Sequence, residues 1–243
     1  MNDQIARFQA AADEYVARTK TKADVLGIVV SGSFAHAQID PHSDIDIFVI
    51  TDPSSTERER GNTWINGVEI EYFKNPPQQV RSYFRKEKSP HTAHILANGK
   101  VVFSRSTEVE KLIKEAKAIL ATPLTVLKPF QIELLKYHLD DLLKDQADCI
   151  HNADRFAGEL IKFQIINRCI DTFCQVKRVN RTKDKRLESQ LAEIDAGFAH
   201  AIKRLTLAEW NDANALAEVA AKMEEILGGK RTDEWVLRSS LDI

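Results

Sequence analysis

The chain has 243 residues, 43% of them hydrophobic and 29% charged, with a formal net charge of −2. That length allows a full core and is read as two domains, and the near-neutral charge argues against duplex nucleic acid as the main partner. Three cysteines, Cys149, Cys169 and Cys174, form neither a paired framework nor a CxxC metal spacing, and no apolar run approaches membrane-spanning length.

Residues 2–18 repeat apolar side chains at helical spacing (Ile5, Phe8, Ala12, Tyr15, Val16), so a first helix is expected there. The N-terminus lacks the basic and apolar blocks of a signal peptide. Together with the unpaired cysteines, this makes a reduced, cytoplasmic setting the expectation. Residues 25–31 read as an apolar strand, and residues 33–37 as the start of a helix with Ser33 near its N-terminus. Residues 45–51 form a second strand, followed by a polar stretch from Asp52 to Gly61. Trp64-Ile65-Asn66-Gly67-Val68 reads as a hairpin, because Asn-Gly suits a two-residue turn, and Val68 to Phe73 is the third main strand. Helices are expected from Pro76-Pro77 to Arg85 and from His91 to Ala97, the latter capped by Asn98-Gly99. A short strand, Val101 to Phe103, and a helix, Glu108 to Leu120, complete the first half.

The chain then changes character. Pro123 and Pro129 bracket the expected linker, dividing residues 1–125 from 126–243. Beyond it only helical periodicity appears: 130–150, 159–176, 187–194, 196–205 and 207–227, the last ended by Gly228-Gly229. Such stripes need partners, so a four- or five-helix bundle is predicted. Cys169 and Cys174 fall on one of these helices and read as small buried residues. In the tail, Trp235, Val236 and Leu237 are expected to dock weakly.

The residues that carry chemistry lie between the first two strands. Val29-Val30-Ser31-Gly32-Ser33 runs from a strand into a Gly-Ser turn, and after a gap of ten residues comes Asp44-Ile45-Asp46. Alternation puts Asp44 and Asp46 on one face and Ile45 and Ile47 on the other. Two carboxylates so placed repel unless a cation sits between them, and hard divalent ions such as magnesium favour oxygen ligands shared with phosphates. Gly32 permits close approach of the backbone to a ligand, and Ser33 offers a hydroxyl beside a helix start. Glu69 and Glu71 share one face of the next main strand, so spacing alone leaves both open as a third acid. His36 and His42, in the intervening loop, read as surface histidines. The run from Lys177 to Arg186 has six bases and one acid. It reads first as a solvated connection between helices; if it reaches a phosphate, Lys183 and Arg186 are the expected contacts. Glu133, Asp140 and Asp141 are candidate bases toward an acceptor, and none is assigned.

With its strand context, this motif resembles the nucleotidyltransferases of the DNA polymerase β superfamily. Their signature is an apolar residue, Gly-Ser or Gly-Gly, a short gap, Asp-x-Asp or Asp-x-Glu, and a third acid on a later strand. The implied fold is α+β: an N-terminal nucleotidyltransferase domain, a small mixed sheet with flanking helices, followed by an all-α bundle. The helical half makes the chain similar to the aminoglycoside and lincosamide nucleotidyltransferases and their uncharacterised bacterial relatives. On that resemblance the run Glu71-Tyr72-Phe73 puts Glu71 in the third-acid position, with Glu69 second. Asp44, Asp46 and Glu71 are then the catalytic metal ligands, and Gly32 and Ser33 bind the nucleotide. The resemblance implies two Mg²⁺ ions, ATP as co-substrate, a small-molecule hydroxyl acceptor bound by the helical domain, and a homodimer as one form of assembly. The alternatives are a toxin–antitoxin-type adenylyltransferase acting on protein or tRNA, and a non-catalytic nucleotide-binding regulator.

Overall fold

The computed structural model describes residues 2–36, 39–40, 42–87, 90–234 and 236. The chain divides into two compact units, Met1–Thr122 and Pro123–Ile243.

The first unit is built on a five-stranded mixed sheet in the order β3-β4-β2-β1-β5. Its strands are β1 (Val25–Ser31), β2 (Ile45–Thr51), β3 (Glu59–Ile65), β4 (Val68–Asn75) and β5 (Lys100–Ser104). β2 runs parallel to β4 and antiparallel to β1, with β3 and β5 antiparallel on the two edges. One face carries Ile45, Ile47, Val49, Val68 and Ile70 under helix α1 (Asn2–Thr19). That helix contributes Phe8, Ala11, Ala12 and Tyr15, a spacing that keeps four apolar side chains on a single stripe. The opposite face carries Val29, Phe48 and Ile50. Over it pack α3 (Pro77–Lys86), α4 (His91–Asn98) and α5 (Thr107–Ala121), through Val80, Leu96, Val109, Leu112 and Ala116. Between β1 and β2 lies the single turn α2 (Gly32–Ala35). Ala37, the expected end of that helix, lies outside the described residues.

The second unit contains α6 (Pro129–His151), α7 (Arg155–Lys177), α8 (Asp184–Ile194), α9 (Ala196–Leu207) and α10 (Ala213–Leu227), and no strand among its described residues. These five helices share one apolar core, in which the Phe173 and Phe198 rings stack at 4.2 Å. Cys169 and Cys174 are buried in α7, and burial pushes the Cys169 thiol up to about 12 and the Cys174 thiol up to about 11. The last helix ends at Gly228, whose φ of 75° supplies the left-handed cap expected of it.

Beyond earlier starts of α7 and α8 than the periodicity suggested, the sequence reading departs from the structure at four places. β3 begins at Glu59, inside the stretch expected to be loop, because an edge strand facing water accepts Arg60 and Asn62 on its open side. α10 starts at Ala213 rather than at 207. The Asp212 carboxylate accepts from the Asn214 and Ala215 amides and so fixes the start there, while Trp210 packs against Gly158 in the preceding loop. Gly99 closes α4 in an extended conformation, not a left-handed one. It must be glycine because a Cβ would fall 2.4 Å from a Val29 methyl. Val236 is exposed and does not dock, while Trp235 and Leu237 lie outside the described residues.

Candidate active site

Strand register assembles the candidate site. Ser31 on β1 pairs with Asp46 on β2, Asp46 pairs with Glu71 on β4, and Glu71 pairs with Asn62 on β3. Side chains paired in register project from the same face. Asp46 and Glu71 therefore share the face that bears Phe48 and Phe73, the next pair along in that direction, whose rings stack at 6.3 Å. The aromatic pair belongs to the core beneath α3–α5, and the acids lie one step beyond it.

Asp44 completes the group from the residue just ahead of β2. One oxygen from each of Asp44, Asp46 and Glu71 lies within 4.8 Å of the other two, and all three residues are half-buried. Glu69 is not part of this set; its Oε1 accepts from Asn62 Nδ2 at 2.6 Å. The main strand thus presents two acids on one face, and the pairing of β4 with β2 brings Glu71, not Glu69, level with Asp46.

Gly32 follows directly from β1, with φ of 75°. A Cβ built on it would lie 2.1 Å from Asp46 Oδ2, so the carboxylate occupies space that any other residue would fill. The expectation that Ser33 sits near a helix start holds in the single turn α2, although Ser31 occupies the capping position and its side chain makes no capping bond. The Ser33 hydroxyl instead donates to Ser43 Oγ at 3.3 Å, and Ser43 Oγ accepts from the Asp40 amide at 2.8 Å. These bonds tie the Gly-Ser turn to the segment that delivers Asp44. Three hard oxygen donors, one of them seated in the space left by Gly32, fit a divalent cation of the magnesium type.

One neighbour lay hidden in the polar stretch. Arg60 Nη2 and Nε donate to Glu71 Oε1 at 2.6 and 3.1 Å, and the guanidinium lies 4.8 Å over the Phe73 ring. Only alternation along an edge strand could have signalled it, and the run Glu57-Arg58-Glu59-Arg60 reads equally well as solvated loop.

The remaining candidates fall in the second unit. Lys183 is the residue ahead of α8 and Arg186 lies in its first turn, both exposed. Elsewhere in this basic run, Arg181 pairs with Asp171 at 2.8 Å and Asp184 at 3.0 Å, and Arg178 Nε donates to the Leu124 carbonyl at 2.7 Å. Those two bases therefore serve the helical unit itself. On α6, Asp140 pairs with Lys144 at 2.9 Å and Arg231 at 3.1 Å. The Lys144 ammonium first, and Arg231 after it, hold that carboxyl below its usual range. Glu133 pairs with Lys136 at 2.8 Å, and Asp141 is exposed.

Residues 14–108 match the family described as polymerase beta, nucleotidyltransferase. The segment spans β1, β2, β3, β4 and β5, together with the whole acid group. This part of the chain is therefore similar to the nucleotidyltransferase domains of the DNA polymerase β-like superfamily. A solved structure described as a nucleotidyltransferase-like protein from Exiguobacterium sibiricum 255-15 is 13% identical, with a TM-score of 0.49 over 90% of this chain and 74% of its own. No curated protein matches the chain. No helix among the described residues is long and apolar enough to cross a membrane.

Proposed function

We propose that the protein is a magnesium-dependent nucleotidyltransferase that moves a nucleoside monophosphate, AMP from ATP, to a hydroxyl of a small-molecule acceptor. The observation that carries this reading is the convergence of Asp44, Asp46 and Glu71, each with an oxygen within 4.8 Å of the others. In this reading Asp44, Asp46 and Glu71 would hold one magnesium ion, and Asp44 and Asp46 would hold a second with the triphosphate. Bound there, magnesium supplies the positive charge that stabilises the entering and leaving oxygens.

The chain's own groups divide the remaining work. The Gly32-Ser33 turn receives the triphosphate, beside the Asp46 carboxylate that the missing Cβ of Gly32 accommodates. The acceptor hydroxyl attacks the α-phosphorus as the bond to the β-phosphate oxygen breaks, and pyrophosphate leaves. The acceptor's proton passes to a general base. Asp140 is a poor candidate for that base, because its ion pairs hold it in the weakly basic charged form. In this reading the helical unit selects the acceptor. The buried thiols of Cys169 and Cys174 support a reducing, cytoplasmic setting.

The test is incubation of purified protein with α-labelled ATP, magnesium and a cell extract. Label recovered in a small-molecule fraction, with pyrophosphate released, is the expected result. Label in protein or RNA would replace the acceptor class, and no transfer under any acceptor would leave a nucleotide-binding regulator. Asp44→Asn or Asp46→Asn is expected to lower transfer by more than about a hundredfold, beyond what losing an outer support of a metal ligand costs. The circular dichroism spectrum should be unchanged; full activity in either variant would overturn the assignment.

A further inference from the structure

Arg60 takes no part in the proposed chemistry, yet it is bonded directly to one of the three acids. Both of its bonds to Glu71 go to the same oxygen, Oε1, so the guanidinium takes one side of that carboxylate. The Phe73 ring beneath it, itself stacked on Phe48, keeps the guanidinium on the acid face of the sheet. Arg60 reaches Glu71 diagonally, since its own register partner on β4 is Phe73.

We propose that Arg60 is a built-in counter-ion of the acid group, a positioning residue that holds Glu71 beside Asp46 and lowers the affinity of the site for a divalent cation. The inference rests on the metal-site reading above and adds to it. Three carboxylates within 4.8 Å carry a formal charge of −3, and Arg60 reduces it to −2. Like charges held this close raise the free energy of the ion-free state, and a fixed guanidinium relieves part of that cost. The same positive charge then repels an arriving cation. With Arg60 present, the acids stay arranged without an ion, and tight loading falls to a cation that brings its own negative triphosphate.

Arg60 is 70% exposed, so removing it takes nothing from the core. The experiment is calorimetric titration of the whole protein with MnCl₂ alone, without nucleotide and at low ionic strength. Arg60→Gln should bind Mn²⁺ about three- to tenfold more tightly than the wild type, the range expected for one unit charge at this separation in a partly solvated site. Arg60→Lys, which keeps the charge, should bind like the wild type, and added salt should narrow the gap for Arg60→Gln. In a Glu71→Gln background the Arg60→Gln change should lose its effect. Wild-type binding with Arg60→Gln equal or weaker would overturn the role of Arg60 and leave the metal site standing. Equal tightening by Arg60→Lys would also overturn it, since charge would then not be the cause. Failure of both wild type and Arg60→Gln to take up Mn²⁺ would sink the metal site and this inference together.

Discussion

Gly32 shows how one residue can serve two geometric demands. Its left-handed φ of 75° turns the chain out of β1, and its missing Cβ leaves room for Asp46 Oδ2. Alanine there meets both penalties, the backbone one alone costing roughly 1–2 kcal/mol. Gly32→Ala is expected to lower the melting temperature and, by displacing Asp46, to weaken Mn²⁺ binding; unchanged binding would show that the recess does not matter to the site. Glu69 and Glu71 make a second contrast at this scale. Glu71→Gln should lose transfer nearly as fully as Asp46→Asn, whereas Glu69→Gln, which keeps an oxygen for Asn62 Nδ2, should stay near wild type. The reverse order in a transfer assay would move the third ligand to Glu69.

Among elements, the α3–α5 contact beneath the site is held by one arginine as well as by apolar packing. Arg81 on α3 meets Glu115 at 2.8 Å and Glu108 at 3.1 Å, both on α5. Hydrogen bonding to Arg81, and then to Lys111, holds the Glu108 carboxyl below its ordinary value. A depressed carboxyl stabilises the fold fully above its unfolded value and loses that contribution as pH falls through its folded one. Arg81→Met should therefore cost about 1 kcal/mol at neutral pH, with part of the network exposed to solvent. The difference in melting temperature from wild type should shrink as pH is lowered through the carboxylate range. A difference independent of pH would assign the loss to packing of the arginine stem instead. β3 teaches a related lesson. Its polar residues hid a strand because an edge strand with one face in water needs few apolar residues, and the strand became visible only through its pairing with β4.

At the scale of the whole molecule, two separate sets of cores account for the two units. The sheet is buried on both faces within residues 1–122, and α6–α10 bury one core of their own. A fragment of residues 1–122 should fold alone, with a single cooperative transition by circular dichroism and a melting temperature that rises with Mn²⁺. An unfolded fragment would show that the sheet unit depends on the helical one.

Read along the chain, the amino acids determined the helical and strand periods, the Gly-Ser turn and the Asp-x-Asp step, because each depends on neighbours a few residues apart. The Asn66-Gly67 turn belongs to the same class: both residues take positive φ, as that dipeptide demands of a tight hairpin. Strand spacing left both acids of β4 open and the family resemblance favoured Glu71; tertiary structure placed Glu71 beside Asp46, and it alone showed that an arginine from a polar stretch lies against it. The reason is physical: Glu69 and Glu71 are equivalent along their own strand, and only hydrogen-bonded register with a strand some 25 residues away distinguishes them.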